Sequence, residues 1–205
     1  MLHIYLARHG QDEDNAAGIL NGRRDKSLTE IGINQAETVA HKIAEASLQF
    51  DAIYTSPLLR TRQTADIIAK KIHGPTPTAL EELIERDFGC MSGKLQSTIT
   101  EACAPDIIIT PTIVYFLNPE GAETFPDLLK RAQGLLDRMH TLHTHGSVLL
   151  VTHGDFGKMI YAQYYQLPWQ DVLTQFHFGN SELLLLSPDS PANQAHVFEI
   201  QQHNS

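Results

Sequence analysis

Three short runs along the chain are apolar or β-branched and bounded by turn signals: Leu2–Ala7 ("LHIYLA"), Asp51–Ser56 ("DAIYTS") and Ser147–Thr152 ("SVLLVT"). Continuous apolar runs of this length predict strands buried on both faces. Between the first two the period changes to that of a helix. Ser27 and Glu30 in "SLTE" have the spacing of a capping box, and Ile33, Ala36, Ala40 and Ile43 form one apolar stripe. After the second strand, Ser56-Pro57 predicts an N-cap and first helical residue. Ala65, Ile68, Ala69 and Ile72 then carry the buried stripe, and "HGPTP" (73–77) ends the helix. A third amphipathic helix follows Gly121 on Phe125, Leu128, Leu129, Ala132, Leu135, Leu136 and Met139, and a fourth begins after Gly154. The tail predicts strands at "QFHF" and "ELLLLS" and a third near "AHVFEI".

Strands alternating with helices predict an α/β fold with a mostly parallel central sheet and helices on both faces. The stretch from about 86 to 120 has no clear period and is expected to be an irregular insertion over the active site, within one domain spanning 1–205. No internal repeat or low-complexity segment interrupts this pattern.

Composition narrows the function classes. The chain of 205 residues is 42% hydrophobic and 19% charged, the balance of an ordinary globular protein. A net charge of -9 supplies no global basic field, so no nucleic-acid or membrane partner is expected. Cys90 and Cys103 make no disulfide framework and no zinc or redox motif, which fits a reducing compartment. With no signal-peptide pattern and no apolar run long enough to span a bilayer, the expected location is cytoplasmic.

Open parallel sheets bind ligands at the carboxyl ends of their strands. Here the first strand delivers Arg8 and His9, the second leads to Arg60 in the first turn of a helix, and the third delivers His153. Two arginines and two imidazoles at one sheet edge of an acidic protein call for an anion, and a phosphoryl group suits the planar fork of arginine.

The blocks "LARHGQDEDN", "SPLLRTRQTA", "ERDFG" and "VTHGD" resemble, in order, the signatures of the histidine phosphatase superfamily, the phosphoglycerate-mutase-like proteins. "LTEIGINQA", "PEGAETFPDLLKR" and "FGNSELLLL" are similar to the intervening pattern. The resemblance implies a three-layer α/β/α sandwich. It implies His9 as the nucleophile that becomes a phosphohistidine, and Arg8, Arg60, His153 and Asn15 as the groups holding the phosphoryl oxygens. Glu85, rather than the nearby Glu81 or Glu82, would protonate the leaving oxygen. No metal and no cofactor are implied, and the expected partner is a small phosphorylated substrate.

Other candidates carry less. Arg62 belongs to a solvated helix face, and "HTLHTH" with His140 and His143 is expected to be a solvated helix end. Arg23 and Arg24 in "NGRRD" either contact a second anionic group or form an exposed basic turn. Gln11 stands where family members commonly have Glu, and Met91-Ser92-Gly93 where many phosphatases of the family have Trp-Glu-Gly; both departures are expected at the pocket rim. Helix and strand faces allow a homodimer without specifying one. Three functions compete: a phosphatase for a small phosphomonoester, a cofactor-dependent phosphoglycerate mutase, and a non-catalytic module binding phospholigands or proteins. Lys94 is the only basic residue between Arg86 and Lys130, where mutases of the family carry a longer basic insertion, so the phosphatase ranks first.

Overall fold

The computed structural model describes residues 1–198. Its elements run β1 (Leu2–Arg8), α1 (Glu13–Ala16), α2 (Glu30–Glu45), β2 (Ala52–Thr55), α3 (Leu59–Ile72), β3 (Thr78–Ala79), α4 (Ile99–Cys103), β4 (Ile107–Ile109), β5 (Val114–Phe116), α5 (Phe125–Leu142), β6 (Gly146–Thr152), α6 (Gly154–Tyr164), α7 (Trp169–Gln175) and β7 (Leu183–Leu186). The central sheet has the order β3-β2-β6-β1-β7. β1, β2, β3 and β6 are parallel, and β7 closes the β1 edge antiparallel.

Side-chain alternation along the central strands sets the layers. Ile4, Leu6, Val148 and Leu150 point to one face, where they pack with Leu128, Leu135 and Met139 of α5 and Phe156 and Ile160 of α6. Tyr5, Ala7, Leu149 and Val151 point to the other and meet Val39 and Ile43 of α2 and Ile68 of α3. The result is a helix–sheet–helix sandwich, as the strand and helix pattern predicts.

Several local expectations are corrected. Thr29, not Ser27, caps α2: its Oγ1 accepts the Gly32 N–H at 3.1 Å, while Ser27 Oγ turns to Gln63 Oε1 at 3.2 Å. Ile33 is 39% exposed and Val39 takes its place in the core. α3 starts at Leu59, with no side-chain cap from Ser56. Its first N–H instead donates to Asp25 Oδ1 at 2.6 Å, while Ser56 Oγ lies 2.8 Å from His153 Nε2 and accepts only a long 3.4 Å bond from the Leu58 N–H. "QFHF" forms no strand; α7 runs to Gln175, and the Phe178 carbonyl accepts from Arg8 Nη1 rather than from a neighbouring strand. Among the described residues of the tail segment only His196 bridges to Leu184, and the end of the strand expected near "AHVFEI" lies in residues 199–205, outside the described residues.

The stretch 86–120 is more regular than its sequence suggests. β4 and β5 pair as an antiparallel hairpin, and Leu20, Phe88, Met91, Ile99 and Phe116 form a small apolar cluster of their own. Met91, expected at the rim, is buried in that cluster. The Thr-Pro-Thr turn between two apolar runs was the available signal for the hairpin.

Candidate active site

The order β2-β6-β1 brings three strand ends side by side. His9 follows β1 directly, and its N–H donates to the Thr152 carbonyl at 3.1 Å, at the end of β6. His153 is the next residue, so the two imidazoles lie with ring centroids 5.1 Å apart at an interplanar angle of 63°. A tight loop is required behind His9: a Cβ on Gly10 would collide with the backbone of Gly32.

His9 is buried, and its Nδ1 lies 2.6 Å from the Gly10 carbonyl. A carbonyl only accepts, so Nδ1 carries the proton and Nε2 carries the lone pair. Burial first, then the charges of Arg60 and Arg8, hold the His9 pKa well below the usual imidazole value. The ring is therefore neutral near pH 7, with Nε2 free of a proton. His153 is depressed in the same way by burial, Arg60, His9 and Arg8. Its Nε2 meets Ser56 Oγ at 2.8 Å, and its Nδ1 is buried with no hydrogen-bond partner among the described residues.

Arg60 has no exposed surface. Its Nη1 and Nη2 donate to the carbonyls of Arg24 and Gly22, both at 2.7 Å. Its Nε donates to His9 Nε2 at 3.2 Å and lies 3.2 Å from Asp12 Oδ2. Asp12 also accepts from Asn15 N–H at 2.7 Å and Asn21 Nδ2 at 2.6 Å. The acidic run "DEDN" thus turns Asp12 inward. Asn15 Oδ1 accepts from the Asp12 N–H at 3.4 Å, which leaves the amide nitrogen as the end for a ligand.

Arg8 donates from Nη1 to Phe178 O at 2.8 Å, and its Nε is buried with no hydrogen-bond partner among the described residues. Glu85 is 5% exposed. Its Oε1 accepts from the N–H groups of Arg86 (2.8 Å) and Phe156 (3.0 Å), whereas Oε2 accepts only a long 3.3 Å bond from Asp155. Burial and the Asp155 charge raise its pKa above the usual carboxyl value, against the pull of those N–H groups and Arg60. Oε2, the less committed oxygen, is the one able to carry a proton.

Arg8, Asn15 and Glu85 line a cavity of about 470 Å³, together with Gln11, Asn21, Arg86, Tyr115, Asp155 and Lys158. His9, at 2% exposure, and the fully buried Arg60 and His153 are not part of that lining. Glu81 is exposed and Glu82 pairs with Arg138, so Glu85 alone of the three carboxyls faces the cavity. Arg23 is held by Asp87 and Glu123, and Arg24 by Asp14; both belong to ion pairs rather than to the cavity. Arg62 is exposed, and His143 Nε2 pairs with the Tyr54 hydroxyl at 2.8 Å rather than facing only water.

A neutral imidazole with an unprotonated Nε2, an unmatched Arg8 Nε–H among the described residues, and a carboxyl raised in pKa can together transfer a group from oxygen to nitrogen and back to water. Residues 4–201 match the histidine phosphatase superfamily (branch 1), and the chain belongs to that family. It is 30% identical over 177 residues to the 2,3-bisphosphoglycerate-dependent phosphoglycerate mutase of Rhizobium etli, covering 84% of this chain and 85% of that protein. It is 30% identical over 166 residues to the metal-independent phosphoserine phosphatase of Arabidopsis thaliana, covering 78% and 67%. The match to a Methylobacterium phosphoglycerate mutase, 33% identical, spans 62% of each chain. Among solved structures, phosphoserine phosphatase from Entamoeba histolytica with 3-phosphoglyceric acid superposes with a TM-score of 0.71 at 27% identity, over 90% of both chains.

Proposed function

We propose that this protein is a metal-independent phosphatase that hydrolyses a small phosphomonoester through a phosphohistidine on His9. The single observation that carries this reading is the His9 ring itself: Nδ1 pinned at 2.6 Å to the Gly10 carbonyl, with Nε2 left basic and directed to Arg60.

In the first step Nε2 of His9 attacks phosphorus as the ester P–O bond breaks, and Glu85 gives its proton to the departing oxygen. Arg8, Arg60, His153 and Asn15 hold the phosphoryl oxygens and balance the charge spread over them. In the second step water attacks the phosphohistidine, the P–N bond breaks, and Glu85, now a carboxylate, accepts the water proton. Phosphate leaves and the starting state returns.

The relatives named as mutases support a second reading, in which an alcohol of a phosphoglycerate takes the phosphoryl group in place of water. One experiment separates the two. Wild type with p-nitrophenyl phosphate and a chelator is expected to release phosphate, and His9→Ala to lose the activity by about a thousandfold or more. A phosphoenzyme that is acid-labile and base-stable ties the intermediate to histidine. Isomerisation of phosphoglycerates faster than phosphate release would favour the mutase, and full activity in His9→Ala would overturn both.

A further inference from the structure

The cavity contains a cation that the phosphoryl chemistry leaves unused. Lys158 on α6 is 5% exposed, and its Nζ donates to the Tyr115 hydroxyl on β5 at 2.8 Å. An ammonium has three protons to donate. Among the described residues, Lys158 forms no ion pair that would engage the other two. Arg86 differs: its nitrogens go to the carbonyls of Glu123 and Leu117 and to Asp155 Oδ2, so it is part of the wall. The same contact, at 3.5 Å, occupies the Asp155 carboxylate that shares the cavity.

The position of Lys158 relative to the phosphoryl groups is set by α6. Gly154 lies four residues earlier, one turn away on the same helix face. A Cβ on Gly154 would stand 3.3 Å from Arg8 Cζ, so the Arg8 guanidinium packs on that turn. The Arg8 guanidinium, which comes from β1, therefore packs on the turn of α6 next to the one that carries Lys158, and side-chain bases at positions 154 and 158 of such a helix are about 5–6 Å apart. A ligand whose phosphoryl group is held by Arg8 reaches Lys158 with a group only a few bonds further on.

We infer that Lys158, oriented by Tyr115, binds a carboxylate of the substrate, so that the site selects small phosphomonoesters that are also carboxylic acids. The inference rests on the phosphatase reading for the chemistry at His9, but not for the binding itself. One compact ammonium with two free protons matches a monoanion, whereas a second phosphate would call for more donors than this wall offers. A buried ammonium with no direct ion-pair partner among the described residues is costly, even with Asp155 and Glu182 facing it, and a substrate carboxylate in hydrogen-bond contact offsets the cost.

The test compares two ligands that differ only at the group in question, 3-phosphoglycerate and glycerol 3-phosphate. Affinities are measured by calorimetry in His9→Ala, where the ester is not turned over. The carboxylate is expected to gain about tenfold or more, and His9→Ala with Lys158→Met to bring the ratio within about twofold. Equal affinities in His9→Ala, or a ratio that survives Lys158→Met, would overturn the assignment. A larger gain for propane-1,3-diol bisphosphate than for 3-phosphoglycerate would overturn the carboxylate in favour of a phosphate. Should Lys158→Met fail to fold, the intact pocket decides. Burial pushes the Lys158 pKa down to about 8, so the preference is expected to fade between pH 7 and 9.5. The groups facing it are Arg8, Tyr115, Asp155 and Glu182, and burial pushes the Tyr115 phenol up out of that range. A preference constant with pH would overturn the role of the ammonium. Absence of hydrolysis by wild type would count against the phosphatase alone, since the ligand ratio is read without turnover.

Discussion

The Nε–H of Arg60 donates to Nε2 of His9 at 3.2 Å, so the lone pair proposed to attack phosphorus is already aimed by the guanidinium that would receive the phosphoryl oxygens. Arg60→Met removes both effects. It is expected to lower kcat/KM for p-nitrophenyl phosphate by about 10²–10³-fold, and Arg60→Lys to recover little of it because a lysine cannot fork. The Arg60 charge also depresses His9. Without it the His9 pKa rises, and the acid limb of the kcat/KM profile moves to higher pH. An unmoved limb would separate Arg60 from the nucleophile.

Asp12 lies against the same guanidinium at 3.2 Å, with neither side chain exposed. Asp12→Asn keeps the shape and removes the charge, leaving Arg60 without its buried counter-ion. A lower Tm is expected, on the order of 3–5 kcal/mol of lost stability. Added phosphate or vanadate is expected to raise the Tm of Asp12→Asn more than that of wild type, because the anion replaces the missing carboxylate. Parallel shifts in the two proteins would contradict this.

Glu85 is expected to work protonated in the first step. Its pKa is raised by burial and Asp155, so activity persists above the usual carboxyl range and falls as pH rises through the raised value. Glu85→Gln is expected to slow alkyl phosphates by about 10²–10⁴-fold and p-nitrophenyl phosphate much less, since nitrophenolate leaves without a proton. Equal losses on both esters would assign Glu85 a packing role.

Stability should also report the two buried imidazoles. His9 and His153 have folded pKa values below the unfolded value of about 6.5. Their contribution is therefore complete above pH 6.5 and is lost as pH falls toward the folded values, by about 1.4 kcal/mol per pH unit for each group. The raised carboxyls, Glu85 and Asp12, act with the opposite sign in this range. The informative quantity is thus the difference between wild type and His153→Gln in denaturant melts at pH 7.5 and 5.5. The variant is expected to lose less stability on acidification, and an identical loss would refute the linkage.

The sheet was legible because its central strands are buried on both faces and carry unbroken apolar runs, and the meeting of two arginines and two imidazoles because strand ends in such a sheet converge. Arg8, His9, Arg60, Glu85 and His153 do meet at the β1, β2 and β6 ends. What the sequence hid were residues whose surroundings are distant. Asp12 looks solvated in "DEDN" until Arg60 and Asn21 close on it. Ser56 has the appearance of a helix cap, yet its hydroxyl serves His153. Lys158 stands among apolar neighbours in "DFGKMIY", and nothing local reveals the Tyr115 hydroxyl waiting on β5. The β4–β5 hairpin escaped notice because both its runs are apolar throughout and show no alternation.

The hairpin and its small cluster give the cavity two walls of different origin. One wall is the sheet edge, behind which a side chain at Gly10 would collide with the backbone of Gly32 on α2, a helix of the main core. The other is made by Leu20, Phe88, Ile99 and Phe116, which pack chiefly on each other. The second wall can therefore change shape and chemistry with little strain passed to the sheet on which the buried imidazoles stand.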